Sequence, residues 1–303
     1  MDGILTALWP VFALLVIGYL ARRYDFPGAA FWPPAEKATY FVLFPSLLVS
    51  RLSQADLASV QSSLLVTAVL SMLLILSLLV LLIRPLLGVG NAQFTSVYQG
   101  SLRFNTYVAL AVSAALMPEQ GVVLAAVMTA VMIPTLNLLC VLVFAWYGES
   151  RPTFKGVLKT LARNPLILAC LLGIALNISG IGLPAPVKPV LGLLGGMALP
   201  LGLLAVGAAL NLRVLKHSGP AVIASSLFKL LICPLIAFAL ARLFGLTEAA
   251  SLVMLIFASV PTATAAYILA RQLGGDAELM ANIITTQTLL SLLSMPLVLM
   301  LLA

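Results

Sequence analysis

The sequence predicts an all-α integral membrane fold of ten transmembrane helices, arranged as a 5+5 inverted repeat with broken, crossing fourth and ninth spans. Three observations carry that prediction. Hydrophobic residues make up 62% of the 303-residue chain and charged residues 8%, against roughly 45–50% and 25% in soluble domains. A mean hydropathy of +1.17 leaves too little polar side chain to coat a globule, so lipid must be the solvent. Ten apolar runs near the length of a bilayer crossing then follow one another through short loops. Finally, Pro10 and Pro165, Gly18 and Gly173, and Pro45 and Pro200 are each 155 residues apart. Five spans per half is an odd number, so a duplicated unit re-enters with reversed topology. The first repeat is expected over 1–150 and the second over 151–303.

In chain order the first five runs are Ile4–Ala21, Ala35–Leu52, Leu64–Ile83, Phe94–Met117 and Gly121–Trp146. The next five are Pro165–Gly180, Val187–Leu210, Ala221–Phe244, Ala249–Ala270 and Ala277–Leu302. Asp2 stands where a signal peptide would place a basic residue, and Arg22-Arg23 follows the first run, so that run reads as a retained helix. In the seventh run Gly192, Gly195, Gly196, Gly202 and Gly207 suggest close helix packing, with Gly192 and Gly196 forming a GxxxG pair. No strand precedes them, so they are not a nucleotide loop.

The net charge of +7 does not point to nucleic acid, because the basic residues lie mostly between apolar runs. With the N-terminus outside, Arg22, Arg23, Lys37, Arg84, Arg151, Lys155, Lys159, Arg163, Arg213, Lys216 and Arg271 fall inside. Only Arg51, Lys188 and Arg242 fall outside. This asymmetry places both termini away from the cytoplasm in a multi-pass plasma membrane protein, a bacterial inner membrane being the natural setting. Cys140, Cys170 and Cys233 all lie in apolar runs and form no CxxC, which argues against a disulfide framework and structural zinc. One loop histidine, His217, and no acidic cluster leave nothing for an intramembrane enzyme; no metal or cofactor is expected.

Arg103 and Lys229 are the two basic residues inside apolar runs, and ionisable groups there mark function by default. Arg103 belongs to Gly100-Ser101-Leu102-Arg103-Phe104-Asn105-Thr106, a polar insertion in the fourth span. The ninth span carries Ala258-Ser259-Val260-Pro261-Thr262-Ala263-Thr264 at similar depth, and an offset of 156 lays Asn105-Thr106 onto Pro261-Thr262. Pro261 removes a backbone donor and clashes with the preceding turn. Unwound backbone at this depth survives only inside protein or along a wet cavity. Two crossing breaks would bring half-helix N-termini together, each with amide donors and a partial positive charge. Arg103, Asn105, Thr106, Pro261, Thr262 and Thr264 then frame a site for an anion. The alternatives are a packed kink at Pro261, interhelical hydrogen bonding by Asn105 and Thr106, and a snorkelling Arg103.

Gln99-Gly100-Ser101-Leu102-Arg103-Phe104-Asn105-Thr106-Tyr107 resembles the fourth-helix motif of the auxin efflux carrier family of bacteria and plants. Pro261-Thr262-Ala263-Thr264-Ala265-Ala266-Tyr267, followed by Gly274-Gly275-Asp276, is similar to its ninth-helix motif and loop. The resemblance covers the whole chain. It implies a fold like the bile-acid symporters and sodium/proton antiporters, with scaffold helices 1, 2, 6 and 7. A transport domain of helices 3–5 and 8–10 would move by elevator-type alternating access. It also implies small organic acids such as malonate or malate, or the indole carboxylate auxin, as substrates. The Asn-Thr pair, here Asn105 and Thr106, would hold the substrate carboxylate, and a homodimer would form through scaffold helices. The chain departs from the plant members in lacking a long hydrophilic central loop.

Lys229 has no carboxylate at its depth, since all nine acids fall in loops or at span ends. It reads either as a cation paired by helix carbonyls near the crossover, in an electrostatic or coupling role, or as a snorkelling lysine. Pro45 and Pro200 either bend cavity-lining helices or serve packing alone. Asn137 and Pro134 in the fifth span, and Asn282, Thr285, Thr286 and Gln287 in the tenth, face the cavity or bond between helices. Without a buried acid to relay protons, the simplest mechanism is efflux driven by the membrane potential, worth about 2.3 kcal/mol per charge per 100 mV. The alternative is a sodium- or proton-coupled importer of organic acids on the same fold.

Overall fold

The computed structural model describes residues 2–55, 62–118, 120–148, 159, 162–217 and 219–303. All regular elements among them are helical, with no strand. Arg151, Lys155, Asp56, Glu119, Glu149 and the expected repeat boundary after residue 150 lie outside the described residues. So do the side chains of Lys216 and His217. Helices α1 (Asp2–Arg23), α2 (32–52), α3 (Ser62–Leu87), α4 (Asn91–Leu102), α5 (Thr106–Leu116) and α6 (Gly121–Tyr147) form the first half. The second half holds α7 (Pro165–Ile178), α8 (Val187–Ala208), α9 (Pro220–Leu243), α10 (Glu248–Ser259), α11 (Ala265–Leu273) and α12 (Ala277–Leu302).

Two helices widen without breaking. α2 passes through a π-turn at Thr39–Leu43 and α9 through one at Phe228–Ile232. Each is followed two residues later by a proline, Pro45 and Pro234. A proline ring crowds the carbonyl four residues back, and the wider turn makes room for it while the helix continues. Among the described residues, α1, α3, α6, α8, α9 and α12 are long and apolar enough to cross a membrane. α7 spans 14 residues, and the predicted fourth and ninth runs are each two short helices, α4 with α5 and α10 with α11. Trp9, Leu82, Trp146, Leu193 and Leu301 are large, apolar and exposed, as lipid-facing side chains are.

The chain divides into two compact units, and each draws on both halves of the sequence. The first comprises Met1–Ser62, Tyr107–Ala130 and Leu161–Leu210, hence α1, α2, α7 and α8 with most of α5 and the start of α6. Here glycines let helix backbones meet. A Cβ on Gly18 would collide with the Leu204 carbonyl, and one on Gly207 with that of Leu15, so α1 and α8 touch along their main chains. Gly195 faces the Leu47 backbone, Gly173 faces Leu52 and Val49, and Gly202 lies over the Phe44 ring. Phe44 in turn stacks on Tyr107, with centroids 4.6 Å apart. Asn177 donates to the Leu52 and Ala55 carbonyls at 3.0 and 2.7 Å, satisfying the C-terminus of α2. Gly192 and Gly196 differ from the expectation: among the described residues, nothing beyond their own stretch of helix lies within 4 Å of where their Cβ would be.

The second unit comprises Ser63–Thr106, Val131–Thr160 and Asn211–Ala303. Its core includes Val97, Val222, Ala266, Ala270, Met280, Ile283 and Ile284, from α4, α9, α11 and α12. Gly274, with φ of 78°, ends α11, and Asp276 accepts from the Leu279 amide at 2.9 Å to start α12. The Ser96 hydroxyl donates to the Asp276 carbonyl at 2.8 Å, tying this loop to α4. Arg84 lies over the Tyr147 ring at 4.2 Å and donates to Asn91 Oδ1 at 2.7 Å.

Candidate functional site

α4 and α10 are each twelve residues long and displaced by 157 residues along the chain. Both end in the same backbone conformation. Arg103 leaves α4 at φ −67° and ψ 152°, and Val260 leaves α10 at φ −71° and ψ 152°. The structural offset is therefore one residue longer than the motif alignment suggested, and Asn105 corresponds to Thr262 rather than to Pro261. The motif alignment matched polar residues, whereas the 157-residue offset follows helix lengths and cap geometry.

Extended backbone inside an apolar unit needs replacement hydrogen bonds, and the two breaks supply them to each other. The Asn105 amide donates to the Pro261 carbonyl at 2.8 Å. The Thr262 amide donates to Gln287 Oε1 at 3.0 Å, while Gln287 Nε2 donates to the Gly100 carbonyl at 2.9 Å and meets Ser225 Oγ at 3.3 Å. One α12 side chain thus joins both breaks and α9. The Thr262 hydroxyl lies 3.0 Å from the Gly100 and Arg103 carbonyls and 3.4 Å from that of Gln99. Gly100 presses against Ser225 and Ile283 so closely that a Cβ would overlap them, which explains the glycine at that point. Phe104 packs on Phe257 with centroids 5.2 Å apart, closing an apolar side of the crossover.

Arg103, half-buried, donates from Nη2 to Asn137 Oδ1 at 3.2 Å. Cys140, one turn along α6 from Asn137, also lies beside the guanidinium. Among the described residues, Nη1 of Arg103 has no hydrogen-bond partner. Asn105 is buried and Thr106, which opens α5, is half-buried. Lys229 has no exposed surface and donates to the Phe257 carbonyl at 3.3 Å, two residues before α10 ends. Asp and Glu are absent from the buried side chains among the described residues.

The structure brings Arg103, Asn105, Thr106, Asn137, Pro261, Thr262 and Lys229 into or beside one crossover. Pro45 and Pro200 belong to the other compact unit, in helices that continue through them, and the Pro200 ring is exposed. Thr264 lies at the N-terminal cap of α11. Two of the first α11 amides are taken up locally: those of Ala266 and Tyr267 donate to the Ala263 and Thr264 carbonyls at 3.0 and 3.1 Å. The expected pair of open half-helix N-termini is to that extent corrected. In α12, Thr286 bonds Asn282 and Thr285 accepts from the Asn211 amide. Sequence reasoning gave Gln99 no role beyond its place in the fourth-helix motif and passed over Ser225. A lone glutamine in an apolar run was the available signal for Gln99; nothing marked Ser225.

A family model described as membrane transport protein matches residues 3–299 of the chain. A protein of Methanothermobacter thermautotrophicus described as an uncharacterized transporter is 27% identical over 293 residues, covering 95% of this chain and 94% of its own. An uncharacterized transporter of Methanocaldococcus jannaschii is 29% identical over 150 residues, 48% of either chain.

Proposed function

The chain belongs to the membrane transport protein family, that of the auxin efflux carriers, and from that premise we propose that it moves small organic anions across the membrane. The observation that carries the anion is Arg103. A guanidinium at a helix break, with a neutral amide as its hydrogen-bonded partner and Nη1 unpartnered, is a receptor for a carboxylate. Asn105 and Thr106, at the start of α5, complete the carboxylate site, with Thr264 at its edge. Pro261, Thr262 and Gln287 hold the crossover, and Lys229 adds positive charge behind it.

The anion moves outward, driven by the inside-negative potential; the lack of a buried acid among the described residues supports a mechanism without a carboxylate relay. The ten runs cross the bilayer as an inverted repeat with both termini outside the cytoplasm, in the plasma membrane. The matched breaks of α4 and α10 support that symmetry. One compact unit, holding α1, α2, α7 and α8, serves as scaffold while the other carries substrate. Two chains pair through scaffold helices, where the unoccupied Gly192 and Gly196 offer a close-packing face on α8.

The test is a thermal-shift screen of mono- and dicarboxylates on purified protein, followed by counterflow in proteoliposomes with potential and sodium gradient varied separately. Saturable exchange of carboxylates that follows the potential and ignores sodium is expected. Stabilisation by neutral solutes alone would remove the anion assignment, and sodium dependence would remove the potential-driven mechanism.

A further inference from the structure

Among the described residues, nine buried side-chain polar atoms lack a hydrogen-bond partner, and three of them sit at the C-terminal end of α4 and on the residue that caps it: Gln99 Oε1, Gln99 Nε2 and Arg103 Nη1. Gln99 has no exposed surface, and no hydrogen bond reaches either end of its amide. Buried polar groups in proteins are paired, and each exception calls for an explanation, of which a partner that arrives in function is one. The Arg103 amide donates to the Gln99 carbonyl at 2.8 Å, and a φ of −67° keeps the Arg103 Cβ in helical register. Side chains four residues apart in that register leave the helix on the same face, one above the other.

We infer that Gln99 is a specificity residue, selecting organic anions that carry an O–H or N–H donor beside the carboxylate. The inference rests on the anion reading above. The chemistry of the amide decides the class. Arg103 Nη1 and Gln99 Nε2 are donors, and a carboxylate satisfies both. Gln99 Oε1 is an acceptor; a plain carboxylate offers it only lone pairs and leaves it unpaired at closer range. A hydroxyl or an indole-type N–H on the same ligand supplies the missing donor. Burial sets the order of contact: Arg103 and Asn137 are half-buried while Gln99 is closed off. The carboxylate therefore meets the guanidinium first, and the donor-bearing part of the ligand lies toward the amide.

The experiment compares matched ligands on the full-length protein in detergent by binding titration. The pairs are 2-hydroxysuccinate with succinate, 2-hydroxypropionate with propionate, and indole-3-acetate with its N-methyl derivative. In wild type at least one donor-bearing member binds about tenfold or more tightly than its partner, the scale of one buried hydrogen bond made rather than missed. In Gln99→Leu, which is close in volume and removes both polar atoms, that ratio falls to within about threefold of one. A structural role for Gln99 would weaken both members of a pair alike and preserve the ratio, which would overturn the inference. Equal binding within every pair in wild type would overturn it without any variant. Carboxylates binding in such equal pairs would leave the anion reading standing, whereas failure of every carboxylate would defeat that reading and this one with it.

Discussion

Replacing Gln287 with leucine tests the crossover most directly. Leucine is close to glutamine in volume, so the packing of α12 is largely kept. The hydrogen-bond consequences are unequal. Gly100 keeps the Thr262 hydroxyl at 3.0 Å, and Ser225 keeps the Val97 carbonyl at 3.4 Å. The Thr262 amide loses its acceptor, Gln287 Oε1, at a residue with no exposed surface. An orphaned buried donor costs about 1–3 kcal/mol, and the lost bonds themselves about 1 kcal/mol more. The extended segment after α10 is therefore destabilised by about 2–4 kcal/mol. That corresponds to about 30- to 1,000-fold faster amide exchange if the segment opens locally. Hydrogen exchange of the peptide covering residues 259–264, read by mass spectrometry, measures this without knowledge of the substrate. A folded Gln287→Leu protein with wild-type protection there would show that Gln287 does not hold the crossover.

Four further substitutions have expected outcomes, two at the crossover and two in the other compact unit. Asn105→Ala should abolish carboxylate binding while the detergent-solubilised protein keeps its melting temperature; unchanged affinity in titration would remove Asn105 from the site. Arg103→Gln keeps a donor but loses the charge, so it should weaken anions at least tenfold more than neutral analogues in the same titration, and equal losses would assign Arg103 to structure. Gly207→Ala forces a Cβ into the Leu15 carbonyl and should cost about 1–3 kcal/mol, read by thermal unfolding. Gly192→Ala meets nothing within 4 Å among the described residues, so it should leave thermal unfolding of the single chain unchanged while weakening pairing through α8, read by molecular mass in detergent.

Membrane character, the positions of the long helices and both breaks were legible from residues 1–303, because lipid imposes apolar runs and a polar insertion or proline within one stands out. Arg103, Asn105 and Pro261 were legible on the same ground: polar or helix-breaking groups are costly in that solvent and conspicuous when present. The 157-residue register was not, since matching polar residues cannot see where a helix runs out of hydrogen bonds. Nor was the division of labour among polar side chains. Gln287 and Gln99 look alike in sequence, each a lone glutamine in an apolar run, yet one makes hydrogen bonds at both ends of its amide and the other makes none. That difference depends on which carbonyls and amides of distant segments come within 3 Å, a property of packing between helices. Solvent preference is written residue by residue along the chain, while hydrogen-bond satisfaction exists only once the segments meet.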